Sequence, residues 1–310
     1  MTSVFINGSG GTTGLRIRER LAARADVTLL ALPEDSRKQV AAQAELAAKA
    51  DITFLCLPDE ASKALIAALG DSAGRVLDAS TAFRTDPRFA YGFAELSAAH
   101  AAAIRTANRV AVPGCHASGA IALLYPLIAQ GLLANDALLS ITSQTGYSGG
   151  GKEMIAAYED AGRQAELASP RTYAVTQAHK HLPEITHVCG LAYEPVFQPI
   201  VDDYYSGMVV TVPLHSRQLA KGASLAAVAQ AYRAHYAGMP LMRVPEVNAE
   251  PLIAANALAG TDSMQVWVNG NDERMLLTAR FDNLGKGASG AAIQCMNLML
   301  GLPPETGLTV

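Results

Sequence analysis

Ser3-Val-Phe-Ile-Asn-Gly-Ser-Gly-Gly-Thr-Thr-Gly14 decides how the first third of the chain folds. Ser3 to Asn7 reads as a short buried strand. It runs directly into glycines spaced Gly8-x-x-Gly11-x-x-Gly14, after which Leu15 to Arg24 mixes apolar and basic residues as an amphipathic helix does. Glycines between a strand and a helix permit a tight turn. They also let backbone N–H groups approach a pyrophosphate at the positive end of the helix. Gly8, Gly11, Thr12, Thr13 and Gly14 are therefore candidates for holding a dinucleotide.

Working outward, the rhythm repeats. Val27 to Leu32 is a second apolar strand, Lys38 to Ala50 an alanine-rich helix and Ile52 to Leu57 a third strand. Glu60 to Leu69 is a helix and Val76 to Asp78 a fourth strand. Strand and helix alternating this way predict an α/β, doubly wound domain of Rossmann type with a parallel sheet covered on both faces. After a helix at Ala117 to Gln130 the pattern changes. Leu138 to Thr145, Tyr205 to Val212, Met264 to Asn269 and Met275 to Phe281 read as longer strands, with one helix expected at Glu153 to Arg163. These predict an α+β second domain with a mainly antiparallel sheet. The expected boundaries are 1–115 for the dinucleotide-binding domain and 116–287 for the second. A terminal helix from Ala288 returns to the first domain within 288–310.

Composition narrows the function classes. The 310 residues are 50% hydrophobic and 17% charged, a well-buried globular balance. A net charge of −4 gives no pull toward nucleic acid or anionic lipid. No apolar run reaches bilayer length, and the start of the chain has no basic leader or apolar signal core. Four cysteines without metal spacing or disulfide density fit a reducing cytoplasm, and no metal site is expected. Small-molecule chemistry in a soluble homo-oligomer, dimer or tetramer, is the expectation.

The end of the second strand reads the cofactor. Glu34 and Asp35 suit the ribose hydroxyls of NAD, whereas Ser36, Arg37 and Lys38 suit the 2′-phosphate of NADP. The balance leans to NADP. Ala111-Val-Pro-Gly-Cys115-His-Ala-Ser-Gly119 opens a helix after a sharp turn. A thiol at a helix N-terminus is favoured as thiolate, so Cys115 is the candidate nucleophile. Cys56, Cys189 and Cys295 sit in apolar surroundings and read as core. His179-Lys-His181-Leu-Pro-Glu184 supplies acid/base candidates in its two histidines, with Glu184 as the orienting carboxylate. His116, His100 and His235 read as helix surface.

Anion candidates are Ser80 and Arg84 after the fourth strand, Ser118 behind the cysteine, and Lys152. Gly146-Tyr-Ser-Gly-Gly-Gly-Lys152 satisfies the first seven positions of a P-loop, but Glu153 stands where Ser or Thr would hold Mg²⁺. Asn283-Leu-Gly-Lys-Gly287 offers flexible backbone suited to closing over a nicotinamide, with Asn283 and Gly287 as cofactor contacts.

Taken in order, these motifs resemble the N-acetyl-γ-glutamyl-phosphate reductases, in their shorter form, and the related aspartate-semialdehyde dehydrogenases. The resemblance runs from the glycine loop through Asp78-x-Ser-x-x-Phe-Arg84, Pro113-Gly-Cys115, Gly146 to Lys152, His179-x-His181-x-Pro-Glu184 and Asn283 to Ala288. It implies NADPH-dependent reduction of an acyl phosphate to an aldehyde in arginine biosynthesis, through a thioester carried over to Cys115. The acid/base histidine is then one of the His-x-His pair, with His179 preferred for proton transfer and His181 taken for substrate. Gly114 stands where the aspartate-semialdehyde enzymes usually carry Asn, and His116 where the long form tends to have Tyr. The competing readings are a reductase of another acyl phosphate and a P-loop-type nucleotide-binding protein.

Overall fold

The computed structural model describes residues 1–70 and 74–310. The chain divides into two compact units, one of Met1–Pro113 with Ala288–Leu308, the other of Gly114–Gly287 with Thr309–Val310.

In the first unit the elements are β1 (Thr2–Asn7), α1 (Thr12–Ala22), β2 (Val27–Leu30), α2 (Val40–Lys49), β3 (Ile52–Leu55), α3 (Asp59–Leu69) and β4 (Arg75–Asp78). These are followed by β5 (Ala90–Tyr91), α4 (Ala98–Thr106) and β6 (Arg109–Ala111). The strands form one parallel sheet in the order β2-β1-β3-β4-β6-β5. Alternation along β1 explains the two layers around it. Val4 and Ile6 join Ile17, Leu21, Ile104 and Met296 on one face, while Phe5 joins Leu65 and Leu69 on the other. The strand order reverses between β1 and β3, and the glycine loop leaves β1 at that switch point, where open α/β sheets bind ligands. The second and third strands end two residues earlier than their apolar runs, because pairing stops at Leu30 and Leu55.

The second unit comprises α5 (Cys115–Ala129), β7 (Ser140–Gly146), α6 (Gly151–Glu159), β8 (Arg171–Thr172), α7 (Leu182–Cys189), β9 (Val196–Asp202) and β10 (Met208–His215). Then come α8 (Leu225–Tyr236), β11 (Met242–Arg243), β12 (Met264–Gly270) and β13 (Arg274–Phe281). Its sheet runs β11-β12-β13-β10-β7-β9-β8. Four of the six pairings are antiparallel, and β7–β9 and β11–β12 are parallel, so the sheet is mixed. After it, a π-helical turn at Gly285–Ser289 leads into α9 (Gly290–Met299), which lies in the first unit. There Gln294 donates to Glu95 and Arg24 to Asn297.

Helix α5 is apolar on every side and buried along most of its length, as a central helix must be. Gly119 lets it approach β10: a Cβ there would lie 2.4 Å from Val210 Cγ2. Pro126 has no N–H, so the Ala122 carbonyl loses its helical partner, and the Tyr236 hydroxyl donates to it at 2.7 Å. Tyr232 does the same for Leu123 at 2.8 Å. Such anchoring fixes the far end of the helix whose first residue is Cys115. On the opposite side of the sheet, Thr142, Gln144, Val196, Gln198, Pro213 and Leu276 form a face that is partly or fully exposed.

Candidate active site

The glycine loop fits a dinucleotide. Gly8 adopts φ +85°, and a Cβ there would meet the Cys56 carbonyl oxygen at 2.2 Å; one on Gly14 would meet the Gly8 carbonyl oxygen at 2.4 Å. The first makes the turn, and the second lets α1 start tight against it. Gly10 has open space around its Cβ position, and α1 begins at Thr12 with no side-chain cap on its N–H groups. An uncapped helix start facing open space is what a pyrophosphate requires. After β2, Glu34–Ser36 forms a 3₁₀ turn followed by exposed Arg37, which pairs with Glu34 at 3.7 Å.

Cys115 is the first residue of α5, with Gly114 extended as its N-cap. The buried Glu184 carboxylate accepts from Gly114 N–H at 2.8 Å. Glu184 was expected to orient a histidine; the contact shown here holds the turn that carries the cysteine. The Cys115 sulfur and ring nitrogens of His116 and His181 lie within 4.8 Å of one another. His181 is buried just before α7, and its backbone N–H donates to His179 Nδ1 at 3.2 Å. The His179 and His181 rings are 4.8 Å apart, and both lie about the His116 ring, at 5.4 and 5.5 Å.

The expectation that His116 lies on the helix surface is wrong: it is 3% exposed. Its Nδ1 is 2.7 Å from Ser143 Oγ and its Nε2 is 2.7 Å from the Tyr173 hydroxyl. Burial, helped by His179 and Lys180, drives His116 down to about 3, and burial with Lys180 drives His179 down to about 4. Both are neutral at pH 7. A thiol and two imidazoles are also donors that zinc takes, but both His116 nitrogens are already engaged.

The remaining candidates divide by their contacts. Ser80 donates to Asp78 at 2.5 Å, and Arg84 donates to the Val112 and Ala79 carbonyls, bracing the loop after β4. Ser118 is buried and donates back to Gly114 O at 3.0 Å, a bond internal to α5. Lys152 is exposed in the first turn of α6. The buried Asn283 side chain accepts from Gly207 N–H and donates to Ser148, so it ties the Tyr147–Gly150 turn to the segment after β13. Gly287 lies against Cys115: a Cβ there would be 3.0 Å from Cys115 Cβ. Burial pushes the Cys56 and Cys189 thiols up, to about 12 for Cys56, and Cys295 is buried against Gly92 O. Cys115 thus stands apart as the half-buried thiol at a helix start.

Residues 3–104 match the semialdehyde dehydrogenase NAD-binding domain model, and residues 115–283 match the semialdehyde dehydrogenase dimerisation domain model. The chain belongs to the semialdehyde dehydrogenase family. It is accordingly an oxidoreductase with a nicotinamide-binding domain. Within the family it is 43% identical to the N-acetyl-γ-glutamyl-phosphate reductase of Burkholderia cenocepacia over 96% of this chain and 97% of that one. It is 44% identical to that of Rhizobium etli, over 96% and 98%. The fold is shared with aspartate semialdehyde dehydrogenase II of Vibrio cholerae, at TM-score 0.74 and 17% identity, covering 97% of this chain and 99% of that one. In this semialdehyde dehydrogenase-family chain, sequence reasoning missed Ser143 and Tyr173. No local signal marks either; they meet His116 only because β7 and the loop after β8 close over the start of α5.

Proposed function

We propose that the chain reduces N-acetyl-γ-glutamyl phosphate to N-acetylglutamate 5-semialdehyde and phosphate with NADPH, the aldehyde-forming step of arginine biosynthesis, in the cytoplasm. The juxtaposition of Cys115 with His181 at the start of α5 carries the reading, and 43–44% identity to reductases of that name supports it. Cys115 attacks the acyl carbon as thiolate, phosphate leaves with the bonding pair, and a thioester remains on sulfur. Gly8 to Gly14 would hold a reduced nicotinamide cofactor, and the chemistry it would supply is the hydride that brings a thioester to the thiohemiacetal level. His181 gives the proton to that oxygen and takes it back as the C–S bond breaks, releasing aldehyde and restoring the thiolate. His181 replaces His179 in this role because its ring nitrogen, together with His116, clusters with the Cys115 sulfur. Glu184 keeps the Gly114 turn in place, and Ser36 and Arg37 select NADP. The exposed sheet face of the second unit is taken as the surface on which a second copy docks, in keeping with the dimerisation domain it matches.

The direct test runs the reaction backward. NADP⁺ reduction in the presence of N-acetylglutamate semialdehyde is expected to require phosphate and to be much faster than with aspartate semialdehyde. Preference for the aspartate compound, or turnover with ATP alone, would remove the assignment.

A further inference from the structure

Resting on the activity proposed above, the substrate brings two anionic groups: the phosphate that leaves and an α-carboxylate that does not react. A carboxylate that leaves water needs a charged partner. Among the arginines of the second unit, Arg163, Arg233 and Arg280 each hold a carboxylate at 2.6 Å, on Asp203, Glu246 and Glu250. Arg171 holds none among the described residues. It lies half-buried on β8, and its guanidinium donates from Nη2 to the Tyr158 hydroxyl at 2.9 Å, with Cζ 5.3 Å from the centre of that ring. A hydroxyl accepts the hydrogen but does not balance the charge. Nε is buried without a partner, and Nη1, also without one among the described residues, is open to solvent.

The strand that carries Arg171 leads to Cys115. Arg171 pairs with Val201 and Thr172 with Ile200, and Tyr173 N–H continues the ladder to Pro199 O at 3.1 Å. Side chains two apart on an extended strand share a face, ~7 Å from one another, so Arg171 and Tyr173 stand on the same side. The packing agrees. Tyr173 lies on the apolar cluster of Tyr158, Leu167 and Val201, and Tyr158 is the residue that Arg171 bonds. The Tyr173 hydroxyl is 2.7 Å from His116 Nε2, and a His116 ring nitrogen lies within 4.8 Å of the Cys115 sulfur.

Arg171 is therefore one strand repeat beyond the tyrosine that bonds the neighbour of Cys115. In an N-acetylglutamyl chain the carboxylate carbon lies four carbon–carbon bonds from the acyl carbon, ~5 Å when extended. Nη1 and the remaining Nη2 hydrogen are the donors left to receive it, in the paired fashion a guanidinium offers a carboxylate. The segment is held in place beyond Tyr173 as well, where Gln177 is clamped to the Phe197 backbone by two hydrogen bonds of 2.8 and 2.9 Å.

We propose that Arg171 binds the α-carboxylate of the substrate, with Tyr158 steadying the guanidinium, and so selects acyl groups that carry a carboxylate over those that do not. The test compares two aldehydes in NADP⁺ reduction with phosphate: N-acetylglutamate 5-semialdehyde and 4-acetamidobutanal, the same molecule without the carboxylate. Hydrogen bonds between charged groups are worth about 10- to 100-fold in kcat/KM, so wild type is expected to favour the carboxylated aldehyde by that factor. Arg171→Met should bring the ratio close to one, chiefly through KM for the semialdehyde, with KM for phosphate held. Arg171→Gln, able to bond Tyr158 without a charge, should lower the ratio nearly as far, and it decides the matter if the methionine variant does not fold. Arg171→Lys should keep part of the preference. An arginine that only braces the fold would slow both aldehydes together and leave the ratio at its wild-type value, which would overturn the proposal. A wild-type ratio near one, or a rise in KM for phosphate alone, would overturn it too. Failure of the substrate assignment reads differently: wild type would oxidise neither aldehyde, and the role of Arg171 would fall with it.

Discussion

His116 makes the protein acid-sensitive. Its ionisation is driven from 6.5 down to about 3, chiefly because a charge there would be cut off from water. The native state therefore binds fewer protons than the unfolded chain between those values. Stability is present in full above pH 6.5 and drains as pH falls toward 3. At pH 5 the unfolded imidazole is charged and the native one is not, so this residue alone removes about 2 kcal/mol relative to pH 7. His179 acts in the same direction over a narrower window, down to about 4. The perturbation is His116→Gln, which keeps an amide to bond Ser143 and Tyr173 but does not titrate. Urea unfolding of both proteins at pH 7 and pH 5, without cofactor, measures the difference. The variant starts lower at pH 7, and its loss on going to pH 5 should be smaller than wild type by about 2 kcal/mol. Parallel losses in the two proteins would refute the reasoning that a neutral, buried His116 is what acid attacks.

Gly287→Ala puts a methyl 3.0 Å from Cys115 Cβ, 3.1 Å from Asp282 O and 3.2 Å from the Phe281 ring, and none of these is a flexible tip. Overpacking of this kind costs ~1–3 kcal/mol, so a lower melting temperature and a roughly tenfold fall in kcat are expected; wild-type values for both would be inconsistent with the packing. Arg37→Ala should weaken NADPH binding in fluorescence titration and leave NADH nearly unchanged, and equal loss for both would release Arg37 from the 2′-phosphate. His181→Asn should lower kcat by ~10²–10⁴-fold with cofactor affinity kept, and His179→Asn by much less; the reverse order in steady-state kinetics would exchange the two roles.

The glycine loop was legible because an apolar run that ends in Gly8 and restarts as a helix after Gly14 has few other readings. What ran past the text were the strand ends at Leu30 and Leu55: apolar composition continues, but the neighbouring strand does not. Strand β9 escaped because Pro199 interrupts it and lacks a donor; it survives paired with Ser143 on β7. Strands β8 and β11, two residues each, carry no periodicity at all. The alanine-rich α8, which anchors α5 through two tyrosines, was also unread. In the site, Cys115 and the His-x-His pair declared themselves by residue type and neighbours. His116 did not, since a residue second in a helix is normally wet. It is dry here because the loop after β8 folds over it, through left-handed backbone at Ala174 and Gln177 that neither residue type advertises.

The central claim is that Cys115 carries the acyl group. Incubating the protein with N-acetyl-γ-glutamyl phosphate in the absence of cofactor, quenching in acid and sequencing the peptides by mass spectrometry measures this directly. The account predicts an N-acetylglutamyl group on the Cys115 peptide, released by hydroxylamine, discharged on adding NADPH, and absent from Cys115→Ser. An acyl group on any other residue, or a Cys115→Ser enzyme that still turns over at the wild-type rate, would contradict it.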